Sequence, residues 1–316
     1  MRRRGRPSLR DRGAETASSV WKAGGKPRRG VRKNIAGGPD APRVADLETV
    51  VSFYTVADEK SRLVTGLGRV EFARTKDIVK RYLPPPPRVL LDVGGAVGRY
   101  SCWLAKEGYE VHLFDPVPAL VDEARKASLE QPEAPVASLH VGDARTLDFP
   151  DATADAVLMF GPLYHLTSAG DRHRALREAH RVMKPGGYLF AAGISRFASA
   201  LEAVINGFLD DGDFFGIVLR DLRDGQHRND TANLTYFTDA YFHRPGELRR
   251  EIQEAGFAPL DFVMVDPFAY SFKNIDKYWE DPVRRERLMD ILRRLESEPA
   301  LMGAGPHLMC VAYKAR

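Results

Sequence analysis

Cysteine is nearly absent. The 316 residues hold two, Cys102 and Cys310, far apart and without partners at metal-ligand spacing, which speaks against a disulfide framework and against a zinc site. Both read as small buried thiols, and no metal is called for. Long apolar runs are missing too. No stretch approaches the roughly 20 residues of a membrane span, and the start lacks the apolar core of a secretory signal, so the expectation is a cytoplasmic protein with no membrane partner. No internal repeat is visible. The apolar fraction of 44% is ordinary for a globular chain with a sizeable core.

Acidic and large apolar residues are scarce at the start. Residues 1–40 carry 12 Lys/Arg against 3 Asp/Glu, a balance of +9 inside a chain total of +4, which leaves the remainder at −5. A segment so rich in Gly, Pro and Arg cannot bury enough surface to offset the entropy of ordering, so residues 1–45 are expected to be a disordered basic extension. Arg4-Gly5-Arg6-Pro7 is similar to the core of an AT-hook, which lies in the minor groove of DNA. A basic arm of this kind could equally hold tRNA or another polyanion through phosphates. The plainer alternative is a passive tail, or one added by a start codon placed too far upstream.

Arg88 to Asp115, RVLLDVGGAVGRYSCWLAKEGYEVHLFD, reads as strand, glycine turn, helix and second strand, with Asp92 and Asp115 toward the strand ends. In open α/β sheets ligands bind outside the carboxyl ends of the strands, and an acidic residue about 20 positions after the glycines suits ribose hydroxyls. A nicotinamide dinucleotide would use similar parts. Its G-x-G-x-x-G, however, would put Val93 at the first glycine when Gly95 and Gly98 are aligned with the other two.

Apolar spacing predicts helices over LETVVSFYTVADEKSRL and GRVEFARTKDIVKRYL, with folded sequence starting near Asp46 and Pro84–Pro87 ending the second helix. The alternation then continues through a helix in VPALVDEARKAS, a strand in VASLHVGD, the strand ADAVLMFGPLYHL with its Gly-Pro break, the helix DRHRALREAHRVMK, a Pro-Gly-Gly turn and the strand YLFAAGIS. Residues 196–243 interrupt the pattern. A helix over Pro245–Ala255, a sixth strand over Phe257–Val265 and a seventh in HLMCVAYKA complete it.

Four landmarks in order, LDVGGAVGRYS, VHLFDP, VGDARTLDFPDATADAVLMFGPLYHL and RVMKPGGYLFAAGISRF, resemble the class I S-adenosylmethionine-dependent methyltransferases, in particular the small-molecule branch with a type-11 methyltransferase domain. The resemblance spans roughly Val50 to Lys314. It implies an α/β Rossmann-like sheet of seven strands in the order 3-2-1-4-5-7-6, within a domain over residues 46–316 with lid elements at about 46–83 and 196–243. One departure stands out: the usual acid-x-Gly-x-Gly-x-Gly turn would have glycine where this chain has Ala96. A methyl group there is harmless at negative φ and strained at positive φ.

The resemblance also implies roles. Gly94, Gly95 and Gly98 would expose backbone to the methionyl part of S-adenosylmethionine, and Asp92 would organise the turn, its water or the methionyl ammonium. Asp115 would grip the ribose diol, Asp143 the adenine amino group and Ala144 a ring nitrogen, while Phe160 and Gly161 would flank the reactive end. S-adenosylhomocysteine would be the product. His165 in GPLYHL is the candidate general base, since imidazole titrates near neutral pH, with Tyr164 positioning the acceptor; His165 could instead merely line the pocket. Tyr54, Arg62, Arg69 and Arg74 on one side, and Arg196, His227, Asn229, Tyr236 and His243 on the other, are the candidate acceptor contacts. The expected activity is methylation of N or O of a small metabolite, such as a specialised natural product, by a monomer or homodimer. Alternatives are a tRNA- or nucleic-acid-linked methyltransferase using residues 1–40, and an inert cofactor-binding regulatory protein.

Overall fold

The computed structural model describes residues 47–231 and 233–316, so the basic extension and its DNA or tRNA reading lie outside the described residues. The first helical stretch is split. Helix α1 (Leu47–Val56) stops at Ala57, and Asp58 starts α2 (Glu59–Arg62) by accepting the Ser61 amide. Helix α3 (Gly68–Tyr82) then leads to β1 (Val89–Val93), followed by α4 (Arg99–Lys106), β2 (Glu110–Asp115), α5 (Pro118–Leu129), β3 (Ser138–Val141) and β4 (Ala154–Met159). Next come a single turn, α6 (Pro162–His165), the helix α7 (Ala169–Val182) and the long β5 (Met183–Ser195). The Pro-Gly-Gly segment expected as a turn lies inside β5, where its register to β4 shifts.

The expected seven strands are present, joined by two more. β1 to β5 run in parallel in the order β3-β2-β1-β4-β5. Beyond β5 lie β9 (His307–Lys314), antiparallel to it, and β8 (Phe257–Met264), antiparallel to β9. That is the 3-2-1-4-5-7-6 arrangement. The additional pair comes from residues 196–243, which fold as α8 (Ala198–Asn206), α9 (Gly212–Asp224), β6 (Gln226–His227) and β7 (Ala240–His243). β7 pairs with Ile194 and Ser195 of β5, beyond the last β4 partner at Ala191 and opposite β9, so the insertion continues the sheet past the end of β4. No element was expected between Val265 and the last strand, yet α11 (Ile275–Glu280) and α12 (Pro282–Leu295) follow α10 (Pro245–Glu254) there.

Alternation along the strands sorts the core into two layers. Leu91, Val93, Val157, Met159, Leu189 and Ala191 pack on one face against Ala175, Leu176 and Ala179 of α7 and Leu248 and Ile252 of α10. Leu90, Val111, Leu113, Ala156, Leu158 and Phe190 pack on the other, against Ile78 and Val79 of α3, Leu104 of α4 and Val121 of α5. Both faces of the parallel strands are covered, which is why they read as continuous apolar runs.

The late helices explain one arginine. Arg74 on α3 is fully buried: it donates to the Val265 carbonyl at 3.2 Å, pairs with Asp77 at 2.5 Å and binds Glu296, the residue that caps α12. It ties α3 to the end of the expected sixth strand and to the Glu296 segment, to which no element was assigned from the sequence, and it does not line the cleft. Arg81 pairs with the same Glu296 at 2.5 Å, but from a partly exposed position. Breaking a buried pair strands a charge, whereas an exposed pair contributes little. Urea denaturation of Arg74→Met should therefore reveal a loss of about 3–5 kcal/mol, against about 1 kcal/mol or less for Arg81→Met; equal losses would contradict this account.

Candidate functional site

The carboxyl ends of β1, β2 and β4 open into a cleft with about 1100 Å³ of empty space, part of it open to solvent. Its floor is the glycine turn. The Gly94 and Gly95 amides both donate to the Phe114 carbonyl, at 2.7 and 3.3 Å, which folds the turn over the end of β2. Gly95 is required by proximity: a Cβ there would sit 2.9 Å from Asp92 Oδ2 and 2.8 Å from the Leu113 side chain. Ala96 has φ 47°, so its methyl group does occupy the left-handed region, at a cost of about 1 kcal/mol.

Two carboxylates serve the turn differently. Asp92 is buried beneath it and accepts the Ser101 hydroxyl at 2.6 Å, holding the start of α4; it does not line the cleft. Asp115 lines the cleft. Its Oδ2 accepts the Ala96 amide at 2.8 Å and its Oδ1 the Val117 amide at 2.9 Å, leaving a further lone pair on each oxygen. Burial pushes both acids up to about 6, against partial compensation from these hydrogen bonds.

Asp143 lies further along the rim, where Arg145 grips both its oxygens at 2.5–3.0 Å. Burial opposes ionisation, but Arg145 holds the carboxyl below its ordinary range. Ala144, Phe160 and Gly161 line the same cleft, as do Gly94 and Gly95. Gly98 stands one step back, as the N-cap of α4 with φ 74°.

At the other end α1 presents Leu47, Val50 and Tyr54, spaced three and four apart on one helix face, and α2 adds Glu59 and Arg62. Arg62 is held between carboxylates, donating to Glu59 at 3.0 Å and to Glu71 of α3 at 2.8 Å. Glu59 and Glu71 escaped the sequence reading, since nothing in the polar run around either distinguishes it from a solvated helix face.

His165 and Tyr164 both line the cleft. The Tyr54 hydroxyl lies 2.8 Å from His165 Nε2, and burial pushes the imidazole down to about 3. The ring is therefore neutral and shares a hydrogen bond with Tyr54. That corrects the expectation of an imidazole poised to titrate near pH 7. Tyr164 makes no side-chain hydrogen bond among the described residues, and a Cβ at Gly161 would come within 3.7 Å of its hydroxyl.

The remaining candidates are spent on structure. Arg74 is buried as described, and Arg69 pairs with Asp276 at 3.4 Å. Arg196 donates to the Phe242 carbonyl and pairs with Glu247, both at 2.7 Å. His243 contacts Glu251 at 3.4 Å, and the same Glu251 carries a bidentate Arg172. His227 bonds Asp221 at 2.8 Å and the Tyr236 carbonyl at 2.7 Å, Tyr236 donates to Asp211, and Asn229 donates to the backbone of Asn233 and Phe237. Arg74, Arg196, His227, Tyr236 and His243 are therefore removed from the wall of the cleft; of the nine named acceptor contacts, Tyr54 and Arg62 line it.

A doubly covered parallel sheet with this strand order, its antiparallel last strand and a glycine turn facing an acidic β2 end defines the class: the chain has the fold of the class I S-adenosylmethionine-dependent methyltransferases. Residues 91–191 match the methyltransferase domain family. Among curated relatives, the ubiquinone/menaquinone biosynthesis C-methyltransferase of Acidiphilium cryptum is 33% identical over 156 residues, 48% of this chain and 59% of that protein. The protein of the same description from Chromobacterium violaceum is 27% identical over 238 residues, 73% of this chain and 90% of the relative. The chain thus spans less than two thirds of the Acidiphilium relative it matches. Among solved structures, the 1,6-didemethyltoxoflavin-N1-methyltransferase of Burkholderia thailandensis, with 1,6-didemethyltoxoflavin and S-adenosylhomocysteine bound, superposes with a TM-score of 0.51 at 17% identity, covering 88% of this chain and 93% of that one. At that identity the likeness is one of fold.

Two outcomes follow for the turn. Ala96→Gly should raise stability by about 0.5–1 kcal/mol in urea melts, because relief of the positive φ exceeds the entropy glycine adds to the unfolded chain; a loss would mean that the methyl group packs usefully. For Asp92, the folded pKa of about 6 exceeds the unfolded value. Between the two the folded state holds a proton that the unfolded state has lost, so this group favours folding at low pH and the gain disappears as pH rises through 6. Asp92→Asn should accordingly be more stable than the parent at pH 7.5, by about 1–2 kcal/mol, with the difference shrinking toward pH 5.

Proposed function

We propose that the cleft binds S-adenosylmethionine and that the protein transfers its methyl group to a nitrogen or oxygen atom of a small aromatic metabolite. The observation that carries this reading is Asp115, a buried carboxylate at the end of β2 whose two oxygens are each fixed by one backbone amide and each retain a lone pair toward the cleft. That arrangement suits a vicinal diol. The neighbouring residues fit the rest of the group. The cradle at Gly94 and Gly95 leaves room where a side chain would collide with Pro162 or Asp92, Ala144 offers a backbone amide to a heterocycle edge beside the Asp143–Arg145 pair, and Phe160 and Gly161 close the β4 end. When bound, the sulfonium supplies an already activated methyl group, so no covalent enzyme intermediate is needed.

The protein's own task is then to orient the acceptor and exclude water. Tyr54, Tyr100, Phe160, Tyr164 and His165 make that end of the cleft largely aromatic, which favours a planar acceptor. The neutral His165 offers no strong base, so the acceptor nucleophile has to be competent on arrival, as an unprotonated amine or an easily ionised hydroxyl. Tyr164 and the Tyr54–His165 pair position it. A ring carbon is the second reading. It is favoured by the similarity to the quinone C-methyltransferases, because an electron-rich hydroxylated ring is also nucleophilic without a strong base.

Calorimetric titration with S-adenosylhomocysteine, followed by incubation with labelled S-adenosylmethionine and a panel of phenols, arylamines and hydroquinones, tests the proposal. Binding with transfer to one of these classes supports it, and the labelled atom decides between the readings. Tight binding without transfer would favour an inert cofactor-binding protein, and absence of binding would sink the proposal. Asp115 adds a pH test. Protonation removes an acceptor from the diol, so affinity should fall as pH drops through about 6, and Asp115→Asn should weaken binding about 10- to 100-fold while flattening that dependence.

A further inference from the structure

Phe237 follows the short turn Leu234–Tyr236 with φ 69° and ψ −174°, a backbone conformation essentially reserved for glycine. The residue is nevertheless a phenylalanine, 2% exposed. Its amide donates to the Leu234 carbonyl and its carbonyl accepts the Asn229 side chain, so the outlier is firmly held. Such strain persists where the surroundings over-determine it, and it concentrates at functional sites. Here the ring separates two spaces. On one side it packs against His165 and Phe53, each with ring centroids 5.5 Å away, and against Tyr164 at 6.4 Å; His165 and Tyr164 line the cleft. On the other it walls a second, much smaller pocket together with Ser199, Glu202, Phe214, His227 and Phe242. Glu202 is 3% exposed and its Oε1 has no hydrogen-bond partner. A buried acceptor left unmet is costly, and an incoming donor would relieve that cost.

We infer that Phe237 is the specificity wall of the acceptor pocket: its ring sets how far an acceptor reaches past His165, and the chamber behind it takes an apolar extension tipped with a hydrogen-bond donor once the ring is gone. This rests on reading the His165 end of the cleft as the acceptor site.

Glycine is the native occupant of this backbone conformation, so Phe237→Gly removes the ring while relieving the strain; Phe237→Leu is the milder companion, and melting temperatures report folding of both. With S-adenosylhomocysteine saturating, calorimetry compares 4-ethylphenol with 4-(3-hydroxypropyl)phenol. The parent should prefer the shorter phenol. Phe237→Gly should shift the ratio of affinities toward the longer one by about tenfold or more, Phe237→Leu by less, with affinity for S-adenosylhomocysteine unchanged in both. If the longer phenol gains nothing on the shorter in either folded variant, including the case where neither binds, the ring is ordinary core packing and the inference falls. Failure of the parent to bind S-adenosylhomocysteine is scored separately and counts against the reading of the cleft.

Discussion

The carbonyl of Phe114 and the carboxylate of Asp115, adjacent at the end of β2, together accept the amides of Gly94, Gly95 and Ala96. Three successive donors on one turn are thereby committed to the neighbouring strand. The turn cannot move without breaking all three, and its position fixes where α4 begins. Asp92 reinforces this from below through Ser101. The parallel register of β1 and β2, pairing Asp92 with Leu113 and Val93 with Phe114, is what brings these groups level. Register is set in turn by burial of both sheet faces, since a slip of one residue would exchange the two apolar layers. The rim of the cleft is thus a consequence of how the core is packed.

Burial rather than pairing governs the charges around the cleft. It pushes Asp92 and Asp115 up, and it pushes His165 down, in each case favouring the neutral form. Where pairing does win, as at Asp143 with Arg145 and at Glu71 with Arg62, the partner is an arginine that both geometry and charge commit. The Tyr54–His165 end of the cleft therefore offers neutral hydrogen-bonding groups on aromatic walls, with Arg62 already shared between two carboxylates. Such a surface selects by shape and by a few directed polar contacts.

How much of this was legible from the sequence follows from the kind of signal each part leaves. The β1–α4–β2 unit is local: apolar runs, glycines and acids lie within 28 residues, and the structure keeps the expected cleft-side positions of Asp115, Asp143 and Phe160. The strain at Ala96 was readable only as a condition, because the sign of φ depends on how the turn meets β2. Polar residues of the insertion misled for a definite reason. Arg196, His227 and His243 look like ligand contacts because their partners Glu247, Asp221 and Glu251 lie 51, 6 and 8 positions away, separations that match neither the strand nor the helix pairing pattern. A histidine paired inside a fold and a histidine facing a substrate share the same letter and the same local context. Arg74 is the extreme case, its partner Glu296 lying 222 positions away.

That misreading has a structural logic. The insertion has to extend the sheet beyond β4 through only two β5 pairings, Ile194 with Phe242 and Ser195 with His243, so backbone bonding alone cannot hold it. Buried ion pairs fill the gap: Arg196 locks the end of β5 to β7 and α10, while Asp221 ties Ser199 of α8 to His227 of β6. Polar groups used in this way are unavailable to a ligand, and none of them lines the cleft. Under the proposed function, acceptor choice falls to the placement of aromatic side chains, which the same network supports: it carries Phe242 stacked on His227 and sets Phe237 beside His227. Insertions with a different pattern of buried pairs would set the rings differently on an unchanged sheet, so the cofactor rim and the acceptor wall can change independently.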